Sequence, residues 1–130
     1  MPFLGLLFTS GAFLLPAWIA KRKKKRTLAW ACRILTVTSV WFHSQVFQRL
    51  AYLVDKSYAH TFAAVFSTKA VVEAFNRCSP KHILLSASSL IPISLYKTKV
   101  IQTDGIESNV WHMIFHLTGQ TCIIIYANYF

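Results

Sequence analysis

Apolar residues fall in five blocks separated by short polar or basic stretches. Pro2 to Ala20 contains no charge, and its length suffices to cross a ~30 Å hydrocarbon layer at ~1.5 Å per residue. Thr27 to Phe47 carries one interior charge, Arg33, near enough to its basic end to snorkel. The third block runs from Leu53 to Phe75 and the fifth from Val110 to Phe130. The fourth, His82 to Lys97, is short and holds Pro92, so a re-entrant path suits it as well as a full crossing. This pattern predicts an all-α, single-domain, multi-pass transmembrane bundle of about five helices, over residues 2–20, 27–47, 53–75, 82–97 and 110–130.

Composition supports a membrane class. The chain of 130 residues is 55% hydrophobic and 14% charged, against about 25% charged in an ordinary soluble domain. Its net charge is +10, and six of its fourteen Lys and Arg form one run, Lys21 to Arg26. A basic run directly after an apolar block is better explained as a cytosolic loop that attracts anionic lipid than as a nucleic-acid site. The N-terminus is then expected on the non-cytosolic side. Because the charges follow the apolar block, a cleaved signal peptide is not the expected reading. Three cysteines, Cys32, Cys78 and Cys122, lack CxxC spacing and read as small buried apolar residues.

Five crossings put the 21–26 and 76–81 loops on one side and the 48–56 and 97–109 loops on the other. That topology brings His43, Asp55, His112 and His116 to one depth. His112 and His116 are four apart, hence on one helix face. Three neutral imidazoles with an open position are a known catalytic zinc set. His43, His112 and His116 are therefore the candidate metal ligands. Asp55 is the candidate proton acceptor, and Ser39, one turn before His43, is a candidate partner for water or an oxyanion. Asp55 also suits a plain helix N-terminal residue, and Ser39 a helix-packing hydroxyl. Haem is the less natural occupant, since it needs histidines facing across a wide gap. His60 and His82 read as hydrogen-bonded helix contacts, Lys69 and Glu73 as a pair with i, i+4 spacing, and the tryptophans as interfacial anchors.

Ser39-Val-Trp-Phe-His43, Asp55 in Leu-Val-Asp-Lys-Ser, and His112-Met-Ile-Phe-His116 with Leu117-Thr118-Gly119 resemble the SxxxH…D…HxxxH pattern of the CREST superfamily. That group holds alkaline ceramidases, hemolysin III proteins and progestin and adipoQ receptors. The resemblance covers roughly residues 35–66 and 108–130. It implies zinc on His43, His112 and His116, catalytic roles for Asp55 and Ser39, and hydrolysis of a lipid amide of ceramide type. Family members have seven helices, so this chain resembles a shortened form, completed by a second copy or a partner subunit. Two other expectations stand beside it: a small structural or assembly subunit of a membrane complex, and a small ion-conducting protein. The expected partners are membrane lipids and a lipid substrate, without nucleic acid.

Overall fold

The computed structural model describes residues 3–130, so the predicted helix start at Pro2 lies outside the described residues. These residues form only helices: α1 (Leu4–Gly11), α2 (Leu14–Arg22), α3 (Arg26–His43), α4 (Gln48–Arg77), α5 (Pro80–Ala87), α6 (Leu90–Leu95) and α7 (Gly105–Tyr129). A π-helical turn, Tyr96–Val100, continues α6.

Two of the expected helices are interrupted, and prolines explain both breaks. A proline has no N–H to give to the carbonyl four residues earlier, and its ring crowds that carbonyl. Pro16 frees the Ala12 carbonyl, where α1 gives way to α2, and Leu15 N–H takes it at 3.0 Å. Pro92 frees the Ser88 carbonyl between α5 and α6, which accepts from Ile91 N–H at 3.1 Å and from the Cys122 thiol at 3.5 Å. Ser88 and Ser89 keep right-handed helical dihedrals, so the backbone stays helical from α5 into α6.

Five rods result: α1 with α2, α3, α4, α5 with α6, and α7. Each packs on its chain neighbours, and the last packs on the first, which closes a ring. Short turns make successive rods antiparallel, so the first and fifth run parallel. Thr9 and Phe13 accordingly meet His116, and Lys25 lies over the Tyr126 ring.

Helix boundaries differ from the sequence expectation at the end of the ring that carries the histidines. The third helix begins at Gln48, not Leu53, because Gln45 (φ 64°) and Phe47 (φ 49°) take left-handed conformations and close the turn quickly. Such conformations are uncommon for residues other than glycine, and apolar–polar patterning does not reveal them. The fifth begins at Gly105 (φ 61°), after Asp104 in extended conformation, not at Val110. The polar loop expected over 97–109 shrinks to Ile101–Asp104. At the opposite end Ser79 in extended conformation precedes Pro80, which occupies the first turn of α5, where its missing N–H costs nothing.

The ring is packed unlike a water-soluble core. One buried cluster joins Phe13, Ala17, Ala20, Leu28, Ala29, Cys32, Leu35, Ile123 and Ala127, and most of the other buried residues are small or polar. Large apolar side chains point outward instead: Phe8, Trp18, Trp30, Val37, Leu53 and Leu84 are all exposed. By length and hydropathy alone, Leu4–Arg22 is the one helical stretch among the described residues that could cross a membrane. The other long helices dilute their apolar residues with the Ser, Thr, His and charged residues described below.

Between α4 and α7, which barely touch, lies a cavity of about 330 Å³. Lining residues extend from Tyr52 to Ala70 on α4 and from His112 on α7 to Phe130 just past its end, a span of nineteen residues on each side. At ~1.5 Å per residue the cavity spans roughly 27 Å along the ring axis.

Candidate metal centre

His43 closes α3, while His112 and His116 lie two and three turns inside α7. Their ring centroids are 4.7 to 5.4 Å apart, and one nitrogen from each ring lies within 4.8 Å of the other two. The i, i+4 spacing on α7 stacks two rings one turn apart, and the end of α3 delivers the third between them. Because α7 continues about 10 Å past His112 toward its own start, the cluster is recessed below the rim of the ring. Two of the three rings rise from one face of one helix, an arrangement that suits a small ion better than a porphyrin gripped between facing helices.

The three nitrogens lie close enough together that they could hold a small ion. Nitrogens at 2.0–2.1 Å from a tetrahedral zinc stand roughly 3.3 Å from one another. Ring movements of about 1 Å close the present spacing to that value. His43 and His116 are buried, and His43 Nε2 is sealed from solvent with no hydrogen-bond partner. A buried imidazole nitrogen without a partner is costly unless something takes its lone pair. His112 makes no hydrogen bond among the described residues, whereas His116 Nδ1 meets the Thr9 hydroxyl at 2.9 Å. Edge-on packing of Phe13 and tilted packing of Phe42 and Phe115 hold the three rings.

Asp55 is not one of these three neighbours. It lines the same cavity as His112 and His116, on the facing helix. Since α4 begins at Gln48, Asp55 is two turns inside the helix, so the reading as a helix N-terminal residue at the surface falls. Its Oδ1 is buried without a partner, and the Thr38 hydroxyl lies beside the carboxyl group. Ser39 is buried, lines the cavity, and shares a 2.8 Å hydrogen bond with Ser10. Two hydroxyls hold two protons, and their mutual bond uses one.

Several groups at this site carried no usable signal in the sequence. Thr9 and Ser10 sit in an apolar helix that reads as a plain membrane anchor, yet each touches a candidate site residue. Gln120, one turn past His116, donates to the Thr9 carbonyl at 2.6 Å. Tyr96 opens the π-helical turn and lines the cavity 6.3 Å from His112, ring to ring. Local π-helix often marks functional positions, and it has no sequence signature.

Of the remaining histidines and charges, Lys56, His60 and Lys97 also line this cavity, but none belongs to the three-histidine cluster. His60 is exposed, donates from Nδ1 to the Lys56 carbonyl at 2.7 Å, and packs edge-on against Tyr96. His82 donates from Nε2 to the Tyr129 carbonyl at 3.0 Å. Glu73 pairs with Arg77 at 3.0 Å instead of Lys69, whose ammonium lies over the Phe66 ring. Of the cysteines, Cys32 is buried as expected, but Cys78 is exposed in the left-handed residue that ends α4. No protein-family model, curated protein or solved structure matches this chain.

Proposed function

We propose that this protein is an integral membrane metalloenzyme that hydrolyses a lipid amide, a shortened relative of the CREST hydrolases. The observation that carries this reading is the meeting of His43, His112 and His116 in a buried cluster at the head of a long apolar cavity. The main competitor, a bundle whose histidines bridge helices by hydrogen bonds, leaves His43 Nε2 and Asp55 Oδ1 unexplained, because neither has a partner.

A membrane setting suits the packing. Small residues inside let helices approach closely, and large apolar residues outside face lipid tails at no cost. Trp18 and Trp30 beneath Arg22 and Arg33, and Trp111 beside Lys99, are amphipathic anchors of the kind found at interfaces. Five crossings with the Lys21–Arg26 turn in the cytosol put the histidine cluster near the opposite face.

Zinc held by His43, His112 and His116 would supply a Lewis acid and make a nearby water easier to deprotonate. Asp55 faces that cluster across the cavity. It takes the proton of the attacking water and hands it to the leaving amide nitrogen. The free proton of the Ser39–Ser10 pair reaches the oxygen on which charge builds. Phe62, Phe66, Ile123 and Tyr126 line the cavity beyond and hold the acyl chain, so the scissile carbonyl is placed by burial of the tail.

Turnover of a fluorescent N-acyl sphingoid amide by the purified protein in mild detergent tests the reading. Hydrolysis should stop with a chelator, return with zinc, and fall about 10²–10⁴-fold in Asp55→Asn. Hydrolysis that persists through chelation and in Asp55→Asn, or none in any preparation that holds zinc, rejects it.

A further inference from the structure

The first rod does more than complete the ring. Thr9 Oγ1 lies 3.0 Å from the Gly5 carbonyl, 3.3 Å from the Leu6 carbonyl and 2.9 Å from His116 Nδ1. A threonine hydroxyl has one proton and two lone pairs. Both carbonyls can only accept, so they and the imidazole nitrogen compete for that single proton. With the proton on the helical back-bond, the oxygen accepts from the imidazole. His116 then carries its proton on Nδ1, which leaves the Nε2 lone pair free.

Thr9 is itself held in place. Gln120 Nε2 donates to the Thr9 carbonyl at 2.6 Å, one turn below the histidine on the same helix. Gly5, one turn above, lets α1 come close to α7: a Cβ there would stand 2.6 Å from Met113 Sδ. Three successive turns of α7 are thus tied to α1 around one hydroxyl. His43 and His112 have no comparable hydrogen bond among the described residues.

We infer that Thr9 is the positioning residue of the histidine cluster: its hydroxyl fixes the tautomer and ring orientation of His116, so that Nε2 is presented for metal binding. Imidazole ligands commonly donate their second N–H to a carboxylate, a carbonyl or water. Here a hydroxyl takes that place, made a pure acceptor by its back-bond to the helix. The inference rests on the metal reading only for its purpose. The tautomer is measurable without any metal.

The test combines two measurements on the full chain in detergent. Histidine ¹⁵N spectra of the metal-free protein should show His116 as the Nδ1–H tautomer in the wild type and in Thr9→Ser. That preference should be lost in Thr9→Val, which keeps the shape but cannot accept. Zinc affinity, read by competition with a chromophoric chelator, should fall about 10–100-fold in Thr9→Val and stay within about threefold in Thr9→Ser. An Nε2–H tautomer in the wild type overturns the inference. So does a Thr9→Val protein that binds zinc as tightly as the wild type. If the wild type binds no zinc, the metal reading fails, and the spectra alone decide the role of Thr9. If Thr9→Val does not fold, the wild-type tautomer and the retained affinity of Thr9→Ser carry the decision.

Discussion

The two ends of the helical ring handle polar groups in opposite ways. At the basic end, Lys21–Arg26, Arg77 and Lys81 are mostly exposed, where water solvates them. Arg77 donates to Glu73 and to the Phe130 oxygen, Lys81 lies over Tyr129, and His82 donates to the Tyr129 carbonyl. At the histidine end the polar groups are buried, and two of them, His43 Nε2 and Asp55 Oδ1, have no partner. His82 Nδ1 is also unpartnered, but its ring already donates through Nε2. The same scaffold therefore leaves most polar groups at one end to water and buries those at the other around a cavity. Open polar groups gathered around a cavity are what ligand and metal sites require.

The contrast can be broken in order of expected effect. His116→Ala removes one of the three proposed ligands and should lower zinc affinity at least 100-fold, while His82→Ala should change it less than twofold; chelator competition reads both. Equal effects at the two ends would erase the distinction. Asp55→Asn should keep one zinc per chain, measured by metal analysis, while catalysis collapses. Parallel loss of zinc would make Asp55 a support of the metal and not a proton carrier. Ala20→Leu, in the buried cluster near the basic end, should cost about 1–3 kcal/mol by overpacking, read as a lower unfolding midpoint in detergent, with the zinc site intact in the folded fraction. Smallest of all, Arg77→Ala cuts the exposed Glu73 pair and should change stability by under about 1 kcal/mol.

Much of this contrast was legible in the sequence. Five apolar blocks gave five rods, and alternation of direction put His43 beside His112 and His116. What patterning could not supply was local geometry. The turn after α3 depends on left-handed Gln45 and Phe47, and the early start of α7 depends on Gly105. Both shift the site from the rim to a recess, and both moved Asp55 and His112 inward along their helices. Pro92 read as grounds for a re-entrant segment, but Ile91 N–H and the Cys122 thiol take up the carbonyl it frees, and the backbone stays helical. Thr9 was invisible for a different reason. Its role lies in a contact 107 residues away, and nothing in an apolar helix distinguishes a hydroxyl that packs from one that orients a histidine. The ring closure that creates this contact belongs to the tertiary fold, not to any local pattern.

The account stands on three imidazoles from two helices sharing one ion. X-ray absorption at the zinc edge of the purified, zinc-loaded protein measures that directly. It should show three imidazole nitrogens at about 2.0–2.1 Å with one further light scatterer, and His43→Ala should lose one of the three. A shell of sulfur or of oxygen alone, or a spectrum unchanged in His43→Ala, would contradict it.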